Sequence, residues 1–482
     1  MPSFEPVIGL EIHAQLLTRT KIFCGCLTRF GDPPNANICP VCLGLPGALP
    51  VLNRRAVDLA ARAALALGCT LNPHSVFARK NYFYPDLPKG YQISQYDQPL
   101  ASGGHVDLRV EGAVRRIGIT RVHMEEDAGK SLHEGFQDSA TATYLDYNRS
   151  GVPLIEIVTE PDLRSAAEAA LFFETLRDLL VWLEVNDGNM EEGSLRCDAN
   201  VSVRPRGQAA LGTKAEVKNL NSFRHVQRAL EFEIARQTQL LGEGGRVVQE
   251  TRLWDTASGR TVSMRSKEEA HDYRYFPEPD LPPVTLDPVW IEQVRSSLPE
   301  LPDARRHRFV SQYGLPDYDA GVLTQSAEVA DYFEATAKGA GNPKAASNWV
   351  MGELMRRAND AGVSVAELPI TPVALGALIR LVDAGTITSP VAKEVFDTMI
   401  ASGRTADEIV ATEGLARIDD AAAIEKAVRQ VMEANADAVA QYRAGKQKTF
   451  GFLVGQVLKA TKGKASPERV NELMRRLLDS AS

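Results

Sequence analysis

Strict alternation of apolar and polar residues constrains the fold of this chain more than any other feature. In Val7–Leu16, one face of the predicted strand is apolar, and Glu11 and His13 share the other face. Leu195–Arg204 repeats the pattern, with a polar face that begins at Arg196. Successive side chains of a strand point to opposite sides, so each segment predicts a strand with one packed and one polar face. Together they predict a large antiparallel sheet with one side left as a concave polar surface.

The polar face of the first strand has two interpretations. The simpler one is a face that meets only solvent. The other is a metal or phosphate site, because Glu11 lies two residues from His13 on the same face. Carboxylates bind hard cations, and imidazole is a common metal ligand.

Acidic side chains also crowd a central stretch of the chain. Glu125, Glu126 and Asp127 are consecutive, and Glu156 lies inside the apolar segment Leu154–Val158. A solvated loop would explain the acidic run, but an acid between two isoleucines of a strand needs a cation or hydrogen bonds. Because magnesium prefers oxygen ligands, we interpret these acids as a hard-metal phosphate site.

Two close pairs of cysteines lie near the N-terminus, Cys24 with Cys26 and Cys39 with Cys42. Their spacing is typical of a structural zinc site with four thiolates. A reduced loop without metal is the alternative. Because such a site has no open coordination position, the zinc would hold a loop rather than take part in a reaction.

Aromatic residues and lysines are interleaved in Lys80–Tyr91. This composition suits a nucleotide base stacked beside phosphate-binding charge, and it suits a turn of packed tyrosines equally well. Further on, Gly129, Lys130 and Ser131 resemble the end of a P-loop. That motif needs a glycine five positions before Gly129, where the chain has Met124. We therefore expect any ATP site to be of another kind.

Composition and charge exclude several classes of protein. The chain has 482 residues, enough for about three domains. Its net charge of −8 argues against a uniformly basic nucleic-acid binder. We find no apolar run long enough to span a bilayer and no basic leader, so we expect a cytoplasmic protein without a membrane partner.

The organisation along the chain changes after a proline cluster between Pro277 and Pro288. Strand patterns stop there, and helical patterns with short connections follow to about residue 410. The last part, Gln441–Ser482, carries nine Lys or Arg against three Asp or Glu. Such a basic end suggests contact with a polyanion, with a merely solvated tail as the alternative.

Several long motifs resemble one protein family. They are VIGLEIHAQL, KNYFYPDLPKGYQISQ, HMEEDAGKSLH, DYNRSGVPLIEIVTEPD, EEGSLRCDANVSVRP and MRSKEEAHDYRYFPEPDL, with GKQKTFGFLVGQVLKATKGKASP in the tail. Over essentially its whole length the chain is similar to the B subunits of bacterial aspartyl/glutamyl-tRNA amidotransferases. The resemblance implies an α+β fold in three parts. These are a large cradle domain on an antiparallel sheet (1–290), an all-α helical domain (291–409) and a small α-helical, YqeY-like tail domain that binds tRNA (410–482).

The resemblance also implies an activity. It is the ATP-dependent phosphorylation of the side-chain carboxylate of Glu-tRNA(Gln) or Asp-tRNA(Asn), followed by amidation with ammonia derived from glutamine. The partners would be an amidase-family glutaminase (the A subunit) and a small C subunit, in a heterotrimer that takes misacylated tRNA. The chain itself has no nucleophile-elbow motif, which agrees with glutamine hydrolysis in a partner. A tRNA-binding scaffold and a stand-alone metal-dependent hydrolase are the rival hypotheses.

Site residues follow from the resemblance position by position. The implied magnesium ligands are Glu11, His13, Glu126 and Glu156. Alternation instead puts Glu125 on the face of His123, and a β-bulge would reconcile the two assignments. Phosphoryl transfer depends on positioning and charge neutralisation. The cations available for ATP are Lys80, which we place first, Lys130, Arg196 and Lys218.

Overall fold

The computed structural model describes residues 3–133, 135, 138, 141–266, 273–418 and 420–480. Its residues form two compact units, one ending at Leu301 and the other beginning at Pro302. The first unit carries the strands and the second is helical. The α+β class predicted from the sequence is therefore confirmed. No helix in the described ranges is long and apolar enough to cross a membrane.

The first unit is built on one large sheet with two small ribbons beside it. Its strands are β1 (Phe4–Gln15), β2 (Thr70–Leu71), β3 (His74–Ser75), β4 (Phe77–Asn81), β5 (Tyr91–Gln95), β6 (Ala101–Ser102), β7 (His105–Val110), β8 (Ala113–Glu126), β9 (Lys130–Leu132), β10 (Tyr144–Asp146), β11 (Pro153–Thr159), β12 (Leu195–Pro205), β13 (Ala215–Lys218), β14 (Glu250–Asp255), β15 (Arg260–Ser266), β16 (Phe276–Pro277) and β17 (Val284–Thr285). The order in the large sheet is β15-β14-β13-β12-β1-β11-β8-β5-β4-β16. Neighbouring strands along this path are antiparallel except for β13 and β14, which are parallel.

Three helices cover the apolar face of the sheet. The helices of this unit are α1 (Arg54–Ala66), α2 (Ala166–Trp182), α3 (Phe223–Gly242) and α4 (Pro288–Ser296). Ile8, Leu10 and Ile12 of β1 are fully buried in the core that α1, α2 and α3 share with the sheet. Helix α1 ends just before Gly68, which adopts a left-handed φ of 67°, a common conformation for a glycine after a helix.

The start of α2 shows half of a capping box. The side chain of Ser165 accepts a hydrogen bond from the backbone N–H of Glu168, as expected for an N-cap. The carboxylate of Glu168 accepts from the backbone of Arg164 instead of Ser165, and it also pairs with Arg115 of β8. The acid therefore anchors the helix to the sheet as well as to its own first turn.

The register of the central strands aligns polar residues across the sheet. Arg196 of β12 lies opposite His13 of β1, His13 lies opposite Glu156 of β11, and Glu156 lies opposite His123 of β8. Directly opposite residues in an antiparallel pair point to the same face. We call this line of four residues the polar row.

The second unit contains helices α5 (Pro302–Tyr313), α6 (Asp317–Leu323), α7 (Ala327–Ala340), α8 (Pro343–Trp349), α9 (Met355–Ala361), α10 (Pro372–Asp383), α11 (Ser389–Ser402), α12 (Ala406–Thr412), α13 (Ala421–Ala434), α14 (Ala436–Arg443), α15 (Lys448–Ala460) and α16 (Pro467–Asp479). A π-helical turn, Val350–Leu354, connects α8 with α9, and a 3₁₀ turn, Val365–Glu367, precedes α10. Helices α13 to α16 share a core around Ile424, Val428 and Met474.

Candidate active site on the polar face of the sheet

Two carboxylates and two imidazoles meet at the centre of the polar row. His13 Nε2 lies 3.2 Å from a carboxylate oxygen of Glu156 and 3.5 Å from one of Glu125. His123 Nε2 lies 3.5 Å from Glu156 and 3.7 Å from Glu125. Three side chains each offer one possible metal-ligand atom, and these atoms lie within 4.8 Å of one another: His13, Glu125 and Glu156. They are close enough to bind a single metal ion. We call His13, His123, Glu125 and Glu156 the central cluster.

Burial and charge act against each other in the central cluster. Burial alone would raise the pKa of both acids, but the histidines outweigh it. A hydrogen bond from His123 and the charge of His13 lower the pKa of Glu125. His123, His13 and Arg121 likewise lower the pKa of Glu156. Burial would lower the pKa of His13, but its bond to Glu156 and the charge of Glu125 raise it. Both carboxylates are thus held ionised.

Glu126 does not join this cluster. The pairing of β8 with β11 runs without a shift from His123 to Glu126, and the one bulge between these strands lies at Val158 and Thr159. The predicted bulge that would turn Glu126 onto the face of His13 is therefore wrong. The carboxylate of Glu126 instead accepts hydrogen bonds from Lys89 Nζ, at 2.5 Å, and from the backbone of Ile93.

A buried acid–arginine pair extends the polar row at one end. Asp127 Oδ1 accepts a hydrogen bond from Arg196 at 3.1 Å, and Asp127 Oδ2 accepts one from Gln15 at 2.8 Å. Burial would raise the pKa of Asp127, but the charges of Arg196 and Arg149 hold it below its usual value. The sequence indicated Arg196 as a cation for ATP, and the structure places its guanidinium beside His13.

Glu11 lies on the same face, one step along β1 from the central cluster but outside the 4.8 Å group. Its carboxylate accepts a hydrogen bond from Asn200 at 2.8 Å. Glu11 lies opposite Asp198 of β12. Asp198 in turn accepts a bond of 2.6 Å from Lys218, which also lies 3.1 Å from Glu216. The structure thus brings Glu11 and Lys218 to the polar face, next to the centre.

Lys80 lies on β4, and a group of tyrosines lies beside the ends of β4, β5 and β16. Lys80 Nζ lies 5.1 Å from the ring centre of Tyr273 and 5.7 Å from that of Tyr82. Tyr275 stacks on Tyr96 with 4.0 Å between ring centres. Burial, followed by the charges of Glu125 and Glu156, raises the pKa of Tyr275.

Lys130 lies away from the central cluster. Its Nζ is 4.7 Å from the ring centre of Phe30, and it lines a cavity of about 270 Å³ together with Gln15 and Arg149. Gln15 and Arg149 both contact Asp127, the acid that pairs with Arg196, so this cavity adjoins one end of the polar row.

The four predicted zinc ligands come together. One sulfur each from Cys24, Cys26, Cys39 and Cys42 lie within 4.8 Å of one another. The pKa of Cys42 is lowered to about 4, first by a hydrogen bond from Cys24 and also by the charge of Lys21. Four converging sulfurs match the donor set of a structural metal site. A cavity of about 210 Å³ adjoins Cys24 and Cys42 and is also lined by Lys21, Lys89 and Glu126.

Sequence reasoning missed several residues that surround these groups. Arg121 donates to Nδ1 of His123 at 3.4 Å and lies 3.6 Å from Glu156. Its alternation with His123 and Glu125 could have identified it. Lys89 and Tyr275 gave no such signal, because their positions depend on strand pairings that are distant in sequence. Residues 267–272 of the motif MRSKEEAHDYRYFPEPDL lie outside the described residues.

Comparisons with known proteins agree with this architecture. The model of the GatB/GatE catalytic domain matches residues 6–292, and the GatB domain of the Yqey type matches residues 331–478. Proteins named as the B subunit of aspartyl/glutamyl-tRNA(Asn/Gln) amidotransferase are similar over nearly the whole chain. The one from Carboxydothermus hydrogenoformans is 57% identical, over 98% of this chain and 99% of its own length.

Two further relatives with the same name extend this similarity. The protein from Solidesulfovibrio magneticus is 55% identical, over 99% of this chain and 100% of its own length. The protein from Trichlorobacter lovleyi is 56% identical, over 98% of this chain and 99% of its own length. With a matching catalytic-domain model and such identity over the full length, the chain belongs to the family of aspartyl/glutamyl-tRNA(Asn/Gln) amidotransferase B subunits.

Proposed function

We propose that this chain activates and amidates the amino acid on misacylated tRNA, as the B subunit of an aspartyl/glutamyl-tRNA(Asn/Gln) amidotransferase. The substrate is Glu-tRNA(Gln) or Asp-tRNA(Asn), and ATP supplies the phosphoryl group. The observation that carries the proposal is the polar row with Glu125, which concentrates ionised groups on one face of the sheet. A scaffold that only bound tRNA would have no need for two buried carboxylates beside two histidines.

The reaction has two chemical steps. The side-chain carboxylate attacks the γ-phosphorus of ATP, so an acyl phosphate forms and ADP leaves. Ammonia then attacks the acyl carbon, and phosphate leaves with the electron pair of the broken C–O bond. The first step is needed because a free carboxylate has no good leaving group. Charge neutralisation and positioning are the main demands of phosphoryl transfer.

The central cluster suits magnesium as the hard cation for this reaction. His13, Glu125 and Glu156 would hold the ion, and Glu11 lies in the next row of the same face. The two ionised carboxylates supply the oxygen ligands that magnesium prefers. When bound, magnesium neutralises charge on transferring phosphoryl oxygens. Glu126 is not among the proposed ligands, because its carboxylate accepts a hydrogen bond from Lys89.

Three cations on or beside the same face are available for the phosphates of ATP. Arg196 and Lys218 are each paired with an acid, which fixes their position. Lys80 contacts the rings of Tyr82 and Tyr273. Lys80 remains our first choice for ATP, since an ammonium held by aromatic rings keeps its charge for an anionic ligand. Lys130, whose ammonium lies over the ring of Phe30, is the weakest candidate.

The remaining partners follow from family membership. Ammonia would come from an amidase-family glutaminase, the A subunit of the complex, and a small C subunit would complete a heterotrimer. The four cysteines would bind one structural zinc.

Trapping the acyl phosphate tests the proposal. The complex of all three subunits receives ATP and misacylated tRNA without glutamine, and hydroxylamine converts any acyl phosphate into a hydroxamate. We expect hydroxamate with Glu-tRNA(Gln) or with Asp-tRNA(Asn). Glu156→Gln should abolish it while glutaminase turnover by the partner persists. The matched control is Glu160→Gln, because Glu160 is exposed just after the same strand. Undiminished hydroxamate in the Glu156→Gln complex would favour the scaffold hypothesis.

A further inference from the structure

Lys21 is a lysine with no exposure to solvent. Its ammonium group donates a hydrogen bond to the backbone carbonyl of Tyr147 at 3.1 Å. A carbonyl carries no formal charge, so this bond leaves the charge of Lys21 uncompensated. Burying an ammonium without a counter-charge is costly, and buried charges in proteins are paired as a rule.

The carboxylates that line the cavity of Lys21 are already engaged. They are Glu126 and Asp280. Glu126 pairs with Lys89 at 2.5 Å, and the side chains of both are almost completely buried. Asp280 lies 3.2 Å from the guanidinium of Arg79. Among the described residues that line the cavity, the negative charge left to compensate Lys21 is therefore that of the cysteine site.

Lys21 lines the same cavity as Cys24 and Cys42. A Cβ atom built on Gly151 would lie 3.4 Å from Cδ of Lys21, 3.7 Å from Cβ of Cys42 and 3.9 Å from a carboxylate oxygen of Glu126, so the three side chains meet around this glycine. The backbone N–H of Lys21 donates to the carbonyl of Cys26 at 2.9 Å. Four thiolates around one zinc ion carry a net charge of about −2, which is also costly to bury.

We propose that Lys21 is the buried counter-charge of the metal-loaded four-cysteine site. The inference rests on the zinc site proposed above. Each partner then offsets the cost of burying the other, so Lys21 strengthens zinc binding and zinc stabilises the buried position of Lys21. Partners of this kind around metal ligands typically change metal affinity about 10- to 100-fold.

The same lysine connects the metal site to the strand of the central cluster. Lys21 Nζ donates a hydrogen bond to the backbone carbonyl of Tyr147. The backbone N–H of Ile22 donates one to the backbone carbonyl of Gly151 at 2.8 Å. These two bonds hold both ends of the turn that leads into β11. Gly151 also donates to the carbonyl of Asp127 at 2.9 Å. Zinc would therefore support the entry to the strand that carries Glu156.

The test measures zinc affinity of the full chain in its complex, by competition with a chromogenic chelator. We expect Lys21→Met to bind zinc about 10- to 100-fold more weakly than the unaltered chain. The matched control is the double variant Lys89→Met/Glu126→Gln, which removes a charged pair from the same cavity without changing net charge. We expect that control to retain its zinc affinity. Equal zinc affinity in Lys21→Met and the unaltered chain would overturn the inference.

Two further measurements separate charge from packing. Lys21→Arg keeps the charge and should bind zinc more tightly than Lys21→Met; equal weakening in both variants would show that only packing matters, which also overturns the inference. Removal of zinc should lower the midpoint of thermal unfolding more in the unaltered chain than in Lys21→Met. If the unaltered chain binds no zinc at all, the zinc site itself is refuted. If it binds zinc with an affinity that does not depend on Lys21, only the role of Lys21 is refuted.

Discussion

Glu125 and Glu126 are neighbours of the same chemistry with opposite surroundings. Glu125 faces His13 and His123, whereas Glu126 faces Lys89 on the other side of β8. We predict that Glu125→Gln lowers ATP-dependent hydroxamate formation about 100-fold or more, because a ligand of a charge-neutralising metal contributes several kcal/mol to phosphoryl transfer. Rates are compared at saturating misacylated tRNA.

Glu126→Gln should behave differently. It leaves the buried ammonium of Lys89 without its partner, which costs about 3–5 kcal/mol of folding free energy. We expect a lower midpoint of thermal unfolding, with hydroxamate formation retained per folded complex. The assignment of Glu125 to the site would be wrong if the two variants lost activity equally and kept equal stability.

The central cluster could be predicted from the sequence wherever alternation alone decided the face of a residue. Alternation identified His13, with Glu11 beside the cluster, and it placed Glu125 with His123. Glu156 was identified differently, as an acid inside an apolar strand. The assignment of Glu126 came from the resemblance and required a bulge that lies elsewhere. The partner of Glu126 could not be predicted, because Lys89 reaches it only through the pairing of β5 with β8.

The loop that carries Cys24, Cys26, Cys39 and Cys42 should bind one zinc ion. The pure protein should contain about one zinc per chain. We expect Cys39→Ala to lose the metal and to loosen the loop, because three thiolates do not complete a structural tetrahedral site. Cys69→Ala is the control, since Cys69 is buried away from the four sulfurs. Four freely titrating thiols in the native protein would contradict the prediction.

An ion-pair network joins α5 and α7 in the second unit. Arg308 and Tyr313 of α5 both donate to Glu334 of α7, at 2.6 and 3.0 Å. The bond from Arg308 is the main reason that the pKa of Glu334 falls from 4.5 to about 2. A carboxyl whose pKa is lower in the folded chain stabilises the fold above its unfolded pKa, and it loses that contribution as the pH falls through the folded value.

We therefore predict that Glu334→Gln lowers the free energy of unfolding by about 1–2 kcal/mol at pH 6. The difference between the variant and the unaltered chain should shrink as the pH falls from about 5 towards 2. Urea unfolding at several pH values measures it. Glu394→Gln serves as control, because Glu394 is exposed on α11. A difference that stays constant across this range would show that the charge of Glu334 does not matter.

The sequence predicts the positions of strands better than it predicts which strands pair and in which direction. The strands β1 and β12 lie where periodicity indicated. The parallel pairing of β13 with β14 was not foreseen, although α3 between them is the kind of crossover connection that parallel neighbours require. The anchoring of Glu168 by Arg115 was missed because the two residues meet only in the folded sheet.

For the whole molecule, the change from strands to helices was visible in the sequence, and the boundary of the first domain at residue 290 remains a prediction. The proline cluster suggested an exit near residue 290. The structure continues the first unit to Leu301, because Val294 is buried in its core and Trp290 packs against that core. Prolines mark where regular structure stops, whereas a domain ends where core contacts stop. The division of the second unit at residue 409 remains a prediction.

The basic tail carries the last prediction. Lys446, Lys448, Lys459 and Lys462 are exposed, so their charges are available to a polyanion. Lys464 differs, because its ammonium donates to the carbonyl of Gly414 at 2.7 Å. Each phosphate neutralised by a lysine contributes about 0.7–0.9 to the slope of log affinity against log salt concentration. Replacing the four exposed lysines with glutamine should therefore lower that slope for misacylated tRNA by up to about 3 units.

The same variant should still phosphorylate its substrate once saturated with tRNA, because the central cluster lies in the other unit. Phosphate contacts carry little base information, which suits an enzyme that accepts two different tRNAs. Binding is measured at several salt concentrations, with Lys338→Gln as control, since Lys338 is exposed on α7 of the same unit. An unchanged slope in the fourfold variant would show that the charges of the tail face only water, and tRNA affinity would then have to come from other surfaces of the complex.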